Sequence, residues 1–184
     1  EEIISQFKLD KVQKAGAIFD EEKLNWMNRK YIDKMSIEEF RKFADKFLPD
    51  NFNDKLLPLL KEKISRFDEI KDMLSNELSF TNPLKDYPVE SLKWKQEKDL
   101  VNTKTYLEKI IKILESLKDT DFIREKIKES IWPMAEEIGK GNVLWPMRYA
   151  LSGKDKSPDP FILADILGKE ETIKRLKFAH ESIK

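Results

Sequence analysis

Cysteine is absent from the 184-residue sequence, so neither a disulfide nor a thiolate metal ligand is available. Such a chain suits a reducing interior, and a cytoplasmic location is expected. His180 is the single histidine. It cannot build a multi-histidine metal site, and any histidine-dependent triad would have to use it. Its place near the end of a helical stretch fits a favourable contact with the helix dipole better than catalysis. Glycine is scarce: of five, Gly139, Gly141, Gly153 and Gly168 fall in the last 46 residues, so backbone punctuation is concentrated there. No phosphate-cradling or dinucleotide glycine pattern occurs. Charge of one sign is also lacking. With 35 basic and 35 acidic residues the net charge is zero, without the strongly basic balance of many nucleic-acid-binding domains. No apolar run approaches the ~20 residues of a membrane span, and no signal segment opens the chain.

What is present reads as nearly all helix. The length makes room for one generous domain or two small ones, and 38% charged with 40% apolar residues reads as neither a disordered tail nor a membrane protein. Asp20 is placed to cap a helix to about Lys34, with Leu24, Met27 and Tyr31 on one face. Ser36-Ile37-Glu38-Glu39 is a capping box, opening a helix through Phe40, Phe43, Ala44 and Phe47 that stops before Pro49. A helix over 53–63, entered near Asp54 and kinked around Pro58, and another over 67–78 are expected next. Residues 79–90 carry two prolines among Thr, Asn and Asp and read as a linker or irregular hinge.

Beyond that break, Leu107, Ile110, Ile111, Leu114 and Leu117 form one 3.6-period stripe, and Phe122, Ile123, Ile127, Ile131, Ala135 and Ile138 form a second. The two helices are expected to pair antiparallel across Lys118–Thr120. Gly139–Asn142 reads as a mobile loop or helix terminator. It is followed by a short helix from Trp145 to Leu151 ending at Gly153. Ser157-Pro158 reads as an N-cap with proline at the first helical position. The helix it opens is expected to end at Gly168, with a last one over 170–183.

Adjacent carboxylate pairs such as Glu21/Glu22 and Glu136/Glu137 point about 100° apart on a helix and do not converge on one atom. Most chemistry gathers between Lys140 and Phe161. Arg148 stands among Trp145, Tyr149 and Phe161, with Lys140, Lys154 and Lys156 nearby. Guanidinium and aromatic planes beside a proline-shaped turn can hold unstacked bases. The plainer reading packs Trp145 on Tyr149 along one helix face and pairs Arg148 with an acid. The Trp-Pro-Met repeat at 132–134 and 145–147 has unlike surroundings and reads as coincidence.

Two stretches carry a family resemblance. One is Trp145-Pro146-Met147-Arg148-Tyr149-Ala150-Leu151-Ser152-Gly153, followed by Ser157-Pro158-Asp159-Pro160-Phe161 and Leu167-Gly168-Lys169-Glu170-Glu171. The other is Lys14-Ala15-Gly16-Ala17-Ile18-Phe19-Asp20 with Lys23-Leu24-Asn25-Trp26-Met27-Asn28 and Tyr31-Ile32. The first resembles the C-terminal end of bacterial-type glutamyl-tRNA synthetases, with its Pro-Leu-Arg-x-Ala-Leu-Thr-Gly, Ser/Thr-Pro and Leu-Gly-Lys-Glu pattern. The second resembles the family segment just after the catalytic part. Lys34-Met35-Ser36 matches part of a synthetase signature, but Ile37-Glu38-Glu39 follows without the second lysine, and Ser36 is explained as a cap.

The resemblance implies an all-α fold of two packed helical subdomains, an anticodon-binding cage preceded by the end of a helical connector. The expected divisions are 1–35 connector, 36–85 first subdomain and 86–184 second subdomain. No catalytic signature is present and the sequence begins at Glu1, so an excised, non-catalytic fragment is expected. ATP and Mg would belong to the parent's catalytic domain and no cofactor or metal to this chain. Expected partners are the glutamate tRNA, through its anticodon loop, and that catalytic domain, with no membrane and no DNA. The family's base-contacting arginine corresponds to Arg148, the Ser/Thr-Pro turn to Ser157 and Pro158, and the next pocket positions to Pro160 and Phe161. Trp145 and Lys156 are expected in support. Arg66 corresponds to an arginine that helps read the last anticodon base, though its flanks Ile64-Ser65-Arg66-Phe67 depart from the family pattern. The rival reading is a helical protein-protein interaction scaffold, with Arg148 and the Ser157-Pro158 turn as ordinary surface.

Overall fold

A computed structural model of the chain describes residues 2–9, 19–83 and 86–184. The Lys14–Ile18 part of the second motif and the boundary after residue 85 lie outside the described residues. The described part is helical. After α1 (Glu2–Gln6), α2 (Glu21–Lys34) is capped by Asp20, whose carboxylate accepts the Lys23 N–H at 3.0 Å. α3 (Ile37–Ala44) opens on the expected capping box: Ser36 Oγ accepts Glu39 N–H at 3.1 Å and Glu39 Oε2 accepts Ser36 N–H at 2.8 Å. It tightens into a 3-10 turn over Asp45–Phe47.

Pro58 does not kink a helix. It is the second residue of α4 (Leu57–Lys63), after a 3-10 turn Asp54–Leu56, where the missing N–H would have had no intrahelical partner. Arg29 on α2 closes the other end of α4, donating from Nη1 to the carbonyls of Lys61 and, at 2.9 Å, Ile64. α5 is shorter than expected, Glu69–Ser75. Phe67 lies just before it, with ring centroids 5.4 Å from Phe40 and 6.3 Å from Phe47.

The described residues of 79–90 hold only short 3-10 turns, Ser79–Thr81 and the start of Val89–Leu92, and Phe80 among them is buried. α6 (Val101–Ser116) and α7 (Arg124–Ile138) follow. Leu107, Ile110, Ile111 and Leu114 are buried, as are Phe122, Ile127, Ile131 and Ala135. Ile123 stays exposed because it precedes the first turn of α7. α6 and α7 touch, but α6 shares its larger face with α9 and α8.

Gly139 ends α7, and α8 (Lys140–Ser152) starts at the next residue rather than at Trp145. Pro133 and Pro146, the centres of the Trp-Pro-Met repeat, both lie inside helices. α9 (Pro160–Ser182) breaks at Gly168, where φ 77° and ψ 169° suit glycine alone. The break separates the two C-terminal helices read from the sequence. Thr172 Oγ1 spans it to the Ala164 carbonyl at 3.2 Å. Buried side chains from Ile32 to Ile183 belong to one apolar core. In contrast, α2 turns Trp26 (60% exposed) and Tyr31 (65%) outward together with Leu24 and Met27, so the apolar face read from the sequence is largely uncovered.

Gly141 has a packing reason. A Cβ there would lie 2.3 Å from Trp94 Cε2 and 2.4 Å from its Nε1. Helix propensity alone would make Gly→Ala stabilising by about 0.5–1 kcal/mol. Here Gly141→Ala is expected to cost roughly 1–3 kcal/mol because the indole must move. Urea denaturation of the variant measures the sign.

Candidate anticodon-binding site

The turn joining α8 to α9 brings the sequence-predicted residues together. Arg148 sits one helical turn before the end of α8, where Ser152 Oγ donates to its carbonyl at 2.8 Å and accepts the Lys154 N–H at 3.2 Å. The Arg148 guanidinium lies over the Trp145 ring, 4.8 Å from its centroid. Its Nη2 donates to the Asp155 carbonyl at 2.8 Å. The platform beneath is fixed: Trp145 Nε1 donates to the Ser91 carbonyl at 2.9 Å, and its ring meets Trp94 at 5.5 Å and Tyr149 at 6.1 Å. Among the described residues the other guanidinium N–H groups have no protein acceptor. Arg148 is thus a planar fork of donors, stacked and tethered at one nitrogen, with its remaining donors available. The plainer reading was right that Trp145 packs on Tyr149. Arg148, however, binds a carbonyl rather than an acid.

Ser157 and Pro158 are half-buried in the same turn, with Ser157 Oγ donating to the Pro158 carbonyl at 3.3 Å, and Lys156 is exposed. The helix cap lies two residues later than expected. Asp159 Oδ1 accepts the N–H groups of Phe161 and Ile162, each at 3.0 Å, and Pro160 is the first helical residue. Pro160 and Phe161 are buried. Phe161 faces Trp132 with ring centroids 6.4 Å apart, so both hold the turn from beneath. Arg66 is elsewhere, in the connection from α4 to α5. Its Nε and Nη2 each donate to an Asp68 oxygen at 3.1 Å. That bond raises the guanidinium's affinity for its proton and holds the Asp68 carboxyl below the usual carboxylate range.

Sequence reasoning missed the residues that position the turn. Lys154 Nζ reaches the Asn76 carbonyl and Ser79 Oγ. Arg175, 3% exposed, donates from Nη1 to the carbonyls of Leu151 (2.7 Å) and Phe80 (2.8 Å), from Nη2 to Asn82 (3.0 Å) and from Nε to Glu171 (2.7 Å). The only trace in sequence is the i,i+4 spacing of Glu171 and Arg175, shared with many solvated helix pairs. Tyr87 stands edge-on to Tyr149 at 5.4 Å. A cavity of about 1630 Å³ between residues 51–53 and α9, and one of about 340 Å³ beside Ser79 and Lys154, are lined by neither Arg148 nor Ser157-Pro158. Of the predicted residues, Arg148, Lys156, Ser157 and Pro158 are not fully buried, whereas Pro160 and Phe161 are.

The model of the family described as "Anticodon binding domain" matches residues 13–180. The chain belongs to this anticodon-binding domain family. Curated glutamate–tRNA ligases from Clostridium botulinum and Clostridium tetani are 35% and 37% identical to it, covering the whole chain but 39% and 38% of their own lengths. The crystal structure of a glutamate tRNA ligase from Elizabethkingia meningosepticum in complex with its amino acid superposes with a TM-score of 0.76 at 34% identity, over 100% of this chain and 36% of that one. A glutamate-tRNA synthetase from Elizabethkingia anophelis gives 0.67 at 32% identity, over 98% and 35%. The chain thus spans about two fifths of the length of the ligases it matches. The all-α fold agrees with the sequence reading, and an unrelated interaction scaffold is disfavoured. Among the described residues no helix is long and apolar enough to cross a membrane.

For the anticodon-binding domain as a folded unit, Arg175→Met is expected to be destabilising by roughly 3–5 kcal/mol, because Glu171 and three carbonyls lose a buried partner. Lys at this position should recover only part, lacking the fork; chemical denaturation of both variants measures this. Burial and nearby Tyr149 push the Tyr87 hydroxyl up to about 12, against an opposing pull from Arg175. The folded state therefore keeps a proton that the unfolded chain loses near pH 10. That contribution is fully present below pH 10 and is lost as pH rises towards 12. Among the described residues this hydroxyl has no hydrogen-bond partner. Tyr87→Phe should therefore cost little at neutral pH and flatten the alkaline fall, as read from thermal unfolding across pH 9–12.

Proposed function

We propose that this domain reads the anticodon loop of a glutamate-accepting tRNA within a glutamate–tRNA ligase, and that it contributes binding rather than chemistry. The observation that carries the reading is Arg148, stacked on Trp145 and tethered to Asp155 with further donors available. Such a fork matches the O2 and N3 acceptors of cytosine or the carbonyls of uracil. Because platform and turn are already fixed, little ordering cost falls on the moment of binding. Ser157, Pro158 and Lys156 border the place where a splayed base would lie, and Pro160 and Phe161 support it from the interior. Arg66 is held by Asp68 and would have to leave that carboxylate to meet a base.

In this reading ATP-dependent activation of glutamate, with Mg, belongs to a catalytic domain of the larger protein, and no cofactor is held here. The connector end at 1–35 and subdomains at 36–85 and 86–184 are part of the same proposal. The uncovered Leu24, Trp26 and Tyr31 of α2 are the surface offered to the remainder of the ligase.

The test is Arg148→Ala in the full-length ligase, comparing kcat/KM for the cognate tRNA with that for a transcript altered at the middle anticodon base. Discrimination should fall by about 1–3 kcal/mol, the scale of one good bidentate base contact. Arg148→Lys should not restore it, since a point charge lacks the planar fork. Unchanged discrimination in Arg148→Ala would overturn the assignment.

A further inference from the structure

We infer that Lys128 and Lys140, gathered on the Trp132 ring, form a second RNA contact that grips the sugar-phosphate backbone beside the anticodon loop. The inference rests on the reading of the Arg148 turn given above. Arg124, Lys128 and Trp132 follow one another at four-residue intervals along α7 and so share one face. The stripe starts at the turn itself: Arg124 Nη2 lies 3.4 Å from Asp159 Oδ2, and Asp159 directly follows Pro158. It continues to Trp132, whose ring meets buried Phe161. There Lys128 Nζ lies 4.9 Å from the ring centroid and Lys140 Nζ, from the first residue of α8, lies 4.6 Å from it.

What sets these lysines apart from ordinary surface charge is that two of them share one aromatic ring. Neither is ion-paired among the described residues, whereas their neighbour Lys126 is bonded to Glu129 at 2.8 Å. Like charges brought to one ring repel unless an anion joins them. Lys140 also stands at a helix N-terminus, where the dipole disfavours a cation. The nearby carboxylate, Glu136, accepts the Trp132 indole N–H at 2.8 Å and so lies at the ring edge. A row of cations beginning at the base-reading turn and free of bound acid at its far end is complementary to a polyanion that continues past that turn. The contact is with phosphate, so it carries no sequence preference.

Lys128→Gln/Lys140→Gln in the full-length ligase tests this, with tRNA affinity measured at several salt concentrations on the cognate transcript and on one altered at the middle anticodon base. Both residues are exposed, so thermal stability should be unchanged. Affinity at 0.1 M salt should fall roughly tenfold, equally for both transcripts, and the slope of log K against log salt should become shallower by about 1.4–1.8. Lys→Arg at both positions should retain affinity. Unchanged affinity and slope in the glutamine variant would overturn the inference. So would a loss confined to the cognate transcript, which would mean that the lysines act through the turn. The underlying reading fails separately: it is overturned if the wild-type ligase does not prefer the cognate transcript or if Arg148→Ala keeps that preference.

Discussion

The buried guanidinium of Arg175 is the interaction on which the remaining geometry depends. A cation removed from water must find hydrogen-bond acceptors on all its working sides. Arg175 finds them in three parts of the chain that nothing else joins in the same way. Leu151 offers a carbonyl from the last turn of α8, where helical carbonyls lack intrahelical partners. Phe80 and Asn82 offer carbonyls from the short 3-10 turn Ser79–Thr81 and the residue that ends it, whose carbonyls a single turn leaves largely unpaired. Glu171 supplies the balancing charge from one turn earlier on α9. Each partner solves the other's difficulty: the charge satisfies orphan carbonyls and the carbonyls solvate the charge. In consequence the end of α8, the 79–82 segment and α9 are registered to one planar group. Arg148 and the turn after it inherit their position from that register, reinforced by Lys154 reaching back to Asn76 and Ser79.

Local backbone chemistry was the most legible part of the sequence. The Ser36 box, the Asp20 cap and the break at Gly168 need only nearby residues, and each is found where its pattern predicts. The misplaced features are those decided by competition or by distant partners. Ser157-Pro158-Asp159-Pro160 contains the cap-proline pattern twice, two residues apart. The second wins because the Asp159 carboxylate accepts two N–H groups at once while also lying beside Arg124. α8 begins five residues earlier than expected, and within that added turn Gly141 lets the Trp94 indole lie against the backbone, a long-range contact that helix propensity does not encode. Pro58 is compatible with either a kink or a helix start, and the 3-10 turn before it selects the start.

At the site, the packing and the base-holding readings of one aromatic pair need not exclude each other. Trp145 is held by Trp94, Tyr149 and the Ser91 carbonyl, as a packing residue would be. That immobility makes it a useful platform for Arg148. The spacing of Trp145, Arg148 and Tyr149 was visible in the sequence. The donors left available on the guanidinium were not, because they depend on the Asp155 carbonyl occupying one nitrogen. Pro160 and Phe161 show the converse, since adjacency in a motif does not distinguish a residue that faces a ligand from one that holds the turn from within.

A net charge of zero is likewise compatible with anion recognition once charges are counted by face rather than by chain. Many lysines and arginines here are already engaged: Lys112 with Glu108, Lys126 with Glu129, Lys177 with Glu115 and Arg41 with Asp45 and Asp54. Pairs of this kind cancel at long range and contribute little to stability. What an approaching polyanion meets is the remainder, which includes Lys128 and Lys140 at the Trp132 ring. A domain arranged in this way avoids the indiscriminate affinity of a strongly basic surface. On the reading proposed above, its attraction would be reserved for an RNA strand lying along one helix face while its bases meet Arg148.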